Sequence, residues 1–157
     1  MAGIRQDYLL RQLELLRQFV ARLMSRRSDR ELEEALLLSF HLQEKLFPVP
    51  PADFLRLELA DQIAALRQNE SPTSAHEKVL TYASLLAETA GLYELKGRGD
   101  LADGSRQMAL YAALCASLEH RGDEAATGLI EKLTGQLDPE QLHAPVAELL
   151  AELRREP

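Results

Sequence analysis

Three features of the sequence predict an all-α fold, a bundle of about six or seven helices paired as antiparallel hairpins. Apolar residues recur at three- and four-residue spacing along almost the whole chain, which places them in stripes on a helix of 3.6 residues per turn. No stretch alternates apolar and polar residues between turn signals, so no sheet is expected. Capping residues and prolines divide the periodic runs at definite points.

The first run predicts a helix over 4–26. Leu9, Leu13, Leu16, Val20 and Leu23 form one stripe, and Ile4, Tyr8, Leu15 and Phe19 form a second roughly 100° around. An apolar arc that wide needs more than one neighbour. Ser28 and Glu31 then read as a capping box that opens a second helix through Leu32, Ala35, Leu36, Phe40 and Leu46. Pro48, Pro50 and Pro51 end it, because proline lacks a backbone N–H and biases the preceding residue away from helix. These two helices are the N-terminal hairpin, 4–47. A middle helical segment, 52–68, carries Phe54, Leu55, Leu59, Ile63 and Leu66 and is expected to be broken.

Ser74 with Glu77 reads as a second capping box, opening a helix with the stripe Val79, Leu86, Ala90 and Tyr93. Gly97 is placed to end it in a left-handed turn. The next helix carries Ala102, Ser105, Ala109, Ala112 and Ala116, a stripe of small side chains that lets two backbones approach closely, with Met108, Cys115 and Leu118 as a bulkier flank. After the turn at 120–123 comes a helix with Ala126, Leu129, Ile130, Leu133 and Leu137, so this hairpin and the helix after it occupy 75–137. Asp138 caps a further start with Pro139 in the first helical position, and Pro145 kinks or restarts it. The C-terminal helix, 139–155, presents Val146, Leu149, Leu150 and Leu153.

The chain of 157 residues suits a single domain, 1–157, large enough to bury roughly 70% of its unfolded surface. Net charge is −7, but residues 1–30 hold seven arginines against three acids, so the rest is strongly acidic. An acidic body repels phosphate, and no nucleic-acid partner is expected. No apolar run reaches the roughly 20 residues of a membrane span, and no signal-peptide pattern opens the chain, so neither membrane insertion nor export is expected. With Cys115 as the single cysteine, no internal disulfide can form, and a cytoplasmic location is the simplest expectation.

Motifs for chemistry are sparse. His41, His76, His120 and His143 are dispersed, without the three- or four-residue spacing of a zinc site. Cys115 sits on an apolar helix face, the setting of a buried thiol. Ser105 lacks both the second glycine of a nucleophile elbow and a preceding strand. The glycines of Lys96–Gly104 lack the spacing of a phosphate-binding loop. No catalytic residue, metal or cofactor is therefore assigned, and the chain is not expected to be an enzyme.

Tyr93, Ala102 and Ala109, with Ala90 before the tyrosine and Gly97 and Gly99 in the turn, resemble a degenerate tetratricopeptide repeat, whose two helices touch at such small positions. Arg106 stands where that repeat has a large apolar residue, no proline closes the unit, and no copy lies 34 residues to either side. More broadly, the runs "DYLLRQLELLRQFVARLM" and "ELEEALLLSFHLQEKLF", followed by the repeat-like hairpin, are similar to an uncharacterised bacterial family of short helical proteins classed as a domain of unknown function. That resemblance implies an α-helical interaction protein and brings no catalytic residues. Ser84, Ala87, Glu88, Gly91 and Glu94 would line the partner-binding surface if their helix plays the inner role of the repeat. The expected function is a non-catalytic scaffold or adaptor that binds a protein or peptide. The alternatives are a homo-oligomeric structural protein, dimerised through the N-terminal helix, and a small-ligand-binding helical bundle.

Overall fold

A computed structural model describes residues 2–155, with side chains described from residue 7 onward, so the contribution expected of Ile4 lies outside the described side chains. Among the described residues there are eight α-helices and no strand. They are α1 (Ala2–Ser25), α2 (Asp29–Glu44), α3 (Pro51–Leu55), α4 (Leu59–Arg67), α5 (Pro72–Leu95), α6 (Gly99–Glu119), α7 (Glu124–Gln136) and α8 (Ala144–Arg155), with a 3-10 turn at Pro139–Gln141.

Local signals account for several of these boundaries. The Ser28 hydroxyl accepts the Glu31 N–H at 3.4 Å and starts α2. Gly97 has φ +80°, the left-handed conformation that closes α5 at little steric cost only for glycine. Asp123 caps α7 by accepting the Ala126 N–H at 3.1 Å.

One expectation needs correction: α5 does not begin at a Ser74–Glu77 box. Ser71 is the N-cap, Pro72 occupies the first turn, and Ser74 donates its own N–H to the Ser71 hydroxyl at 3.2 Å. Pro72 has no N–H to leave unsatisfied and its φ is already helical, which moves the start three residues earlier. The break expected in the middle segment separates two helices, α3 and α4, and leaves Leu55 exposed between them. Asp138 caps a 3-10 turn, through the Glu140 N–H at 3.0 Å, and the restart expected at Pro145 is α8, which begins at Ala144.

α5 is the spine. It packs against α1, α2, α4, α6 and α7, while α6 also meets α4, α7 and α8. The small-residue stripe decides the closest of these contacts: Ala102, Ala109, Ala112 and Ala116 are buried, and the Ser105 hydroxyl donates to the Leu86 carbonyl of α5 at 2.7 Å. The first stripe of α1 and the apolar residues of α2 close over the other side of α5. There Thr89 donates to the Leu85 carbonyl at 2.7 Å, accepts the Gln43 amide at 2.9 Å, and is hydrogen-bonded to the Ser39 hydroxyl.

The short helices α3 and α4 are fixed by aromatic packing. Phe47 stacks on Phe54 with centroids 3.9 Å apart, and the ring of Tyr82 on α5 meets both edge-on. Gln62 donates to the Phe54 and Leu57 carbonyls, both at 3.4 Å, and accepts the Tyr82 hydroxyl.

Enlarging the α5–α6 contact should be costly. Ala109→Leu inserts three carbons where the residue is fully buried, and its expected cost is about 1–3 kcal/mol in urea denaturation. An unchanged denaturation midpoint would mean that the two helices are not held close there.

Candidate partner-binding groove

Position within α5 divides its residues. Those facing α6, α2 and α4 are buried, whereas Ser84, Ala87, Glu88, Gly91 and Glu94 lie on the remaining side, partly or fully exposed. All five border a groove flanked by α1 and α7. One recess, of about 310 Å³, is lined by Val20, Ala21 and Met24 of α1, by Ala87, Glu88, Gly91 and Glu94 of α5, and by Lys132 and Gln136 of α7. The adjoining recess, of about 290 Å³, takes in Leu80 and Ser84 of α5 and Ala125, Gly128 and Leu129 of α7. Arg17, Ala87, Glu88 and Lys132 line both, so the two recesses form one trough along α5.

The floor is small and apolar. A Cβ added at Gly91 would lie 3.9 Å from the Val20 side chain, an ordinary contact, so the glycine deepens the trough without being required by the fold. The walls are charged. Arg106 of α6, almost fully buried, reaches the trough and pairs at 3.4 Å with both Glu94 and Asp103. The residue that departs from the repeat pattern thus buries its stem as an apolar residue would and presents a guanidinium at the groove edge. Burial raises the Glu88 carboxyl above its ordinary value, with Lys132 and then Arg17 pulling it back and Glu14 adding to the rise.

A second cluster was not legible in the sequence. His76 of α5 and His120 at the end of α6 bring their rings to 4.2 Å, and His76 Nε2 meets the Asp123 carboxylate while its Nδ1 is buried without a partner. The hydrogen bond from His76, with the Ala126 N–H, holds the Asp123 carboxyl below its usual range. Their separations of 44 and 47 residues leave no local spacing to read. Among the described residues, no group of three histidine, cysteine, aspartate or glutamate side chains is arranged to hold a metal ion. Cys115 is half-buried, and burial pushes its thiol up to about 11, with Arg67 acting in the opposite sense. Among the described residues, no helix is long and apolar enough to cross a membrane.

Comparison with protein-family models, with curated proteins and with solved structures returned no match. The groove is therefore interpreted on its own geometry.

Two pH dependences follow. Glu88 binds its proton more tightly folded than unfolded, so it favours the fold at acid pH and detracts from it as pH rises above the ordinary carboxyl range. Glu88→Gln should raise the melting temperature at pH 7 by roughly 1–3 °C and leave it almost unchanged at pH 4. Asp123 has the opposite sign: its contribution is present above the unfolded pKa and is lost as pH falls through the lowered folded value. Asp123→Ala should cost about 1–2 kcal/mol at pH 7, with Asp123→Asn milder because asparagine still caps α7. Thermal scans across pH check both signs.

Proposed function

We propose that this protein is a non-catalytic scaffold or adaptor, and that the trough along α5 holds a peptide or partner helix. The observation that carries this reading is that Ser84, Ala87, Glu88, Gly91 and Glu94 share one open, mostly apolar groove with charged walls, instead of being dispersed over a solvated face. Helix-in-groove recognition uses such a trough, an apolar floor for anchor side chains with charges at its rim.

The repeat-like element of the proposal is the α5–α6 hairpin. Its small side chains let α6 pack closely on α5, and the strip of α5 between α1 and α7 stays open, with Arg106 of α6 at its edge. Concave helical-repeat surfaces bind their partners on the corresponding inner helices. The non-catalytic element is supported by what the candidate nucleophiles do. The Ser105 hydroxyl is spent on the Leu86 carbonyl, and the Cys115 thiol is protonated at neutral pH. A cytoplasmic setting agrees with that unpaired thiol.

The experiment is an affinity purification with mass measurement, run in parallel on wild type, Glu88→Lys and Gly91→Leu. Glu88→Lys reverses the central charge, and Gly91→Leu fills the deeper recess, where its first carbon has room. A partner enriched by wild type and lost by both variants, at unchanged circular dichroism, is the expected result. A partner retained by both variants would remove the groove from the interaction.

A further inference from the structure

The second apolar stripe of α1 is not consumed by the fold. Tyr8 and Leu15 are 41% and 55% exposed, and on α2 Leu37 is 67% exposed. Between the two helices Phe19 and Leu38 lie half-buried at the base of an open cleft of about 550 Å³. α5 covers the opposite side of this hairpin, so the cleft is on the free flank, away from the trough. Exposed apolar side chains gathered on one flank of a folded chain mark an interaction surface.

Its charge pattern selects the occupant. At the edges of the cleft Arg22 stands on the α1 side and Glu34 on the α2 side. Both stand near the end of the hairpin where Arg26, Arg27 and Ser28 link the helices, so they are level along its axis. An apolar cleft with a cation at one edge and an anion at the other is complementary to itself under a two-fold rotation.

We propose that two copies of this chain associate through this flank, α1 of each lying over α2 of the other, with Arg22 of one copy against Glu34 of the second. The axis runs along the hairpin, and every helix is then antiparallel to both neighbours, the arrangement of an up-and-down four-helix bundle. Leu15, Phe19, Leu37 and Leu38 of both copies form its core. The existing partners of the two charges are weak enough to give way. Glu34 meets Arg30 in an exposed pair at 3.3 Å, and Arg22 lies over the Phe19 ring at 5.1 Å. The proposal does not depend on the trough or on what binds there.

Light scattering on the purified chain at tens of micromolar should give twice 17.6 kDa. Leu15→Glu combined with Leu37→Glu should give the single-chain mass with unchanged helical circular dichroism, since both positions are exposed within the chain. Arg22→Glu and Glu34→Arg should each weaken association about tenfold, because every pair occurs twice, and the double exchange should restore it. Glu88→Lys should leave the mass untouched, which separates this surface from the trough. A single-chain mass for wild type at that concentration, or a two-chain mass insensitive to the paired glutamates, would overturn the proposal.

Discussion

Two helices can come within hydrogen-bonding reach of one another's backbone only where no large side chain stands between them, and α6 meets that condition with α5 at Ser105. Ala102, Ala109, Ala112 and Ala116 contribute little bulk, and Ser105 reaches the Leu86 carbonyl directly. With α6 this close on one side, α5 still has surface for α1, α2, α4 and α7, and it becomes the one element on which the others converge. The groove follows from this. α1 and α7 lean on α5 from two directions and leave a strip of it between them.

Polar groups hold in place what burial alone would leave imprecise. The Gln107 amide donates to the Gln141 carbonyl at 2.9 Å and accepts the His143 N–H at 3.1 Å, fixing the connector that delivers α8 to α6. Gln62 does the same for the short helix α3, and Thr89 for α2. Gln107, Gln62 and Thr89 are themselves buried, and a buried polar side chain left without partners costs about 1–3 kcal/mol. Helices of five and nine residues, too short to be stable alone, can therefore be parts of a defined surface.

The two outward-facing features differ in character. The trough is charged, and its Glu88 carboxyl is partly desolvated between cationic neighbours, an arrangement with little value to stability. The flank of the N-terminal hairpin is apolar at its centre, with its charges at the edges. Retaining a half-buried carboxylate costs free energy that a glutamine would avoid, whereas an apolar strip loses stabilisation only while it stays wet.

The sequence alone determined what is set within one or two helical turns: the helical character of the segments, the cap at Ser28, the turn at 120–123, the left-handed turn at Gly97, and the small stripe that brings α6 onto α5. The five residues from Ser84 to Glu94 were also legible as one face of one helix, because helical period is local. That the face lies at the bottom of a trough was decided by α1 and α7, whose placement depends on contacts across the chain. The start of α5 at Ser71 and the meeting of His76, His120 and Asp123 belong with these. Propensity and capping act over a few residues, so competing local signals such as Ser71 and Ser74, and approaches between distant ones, are resolved only when the core closes.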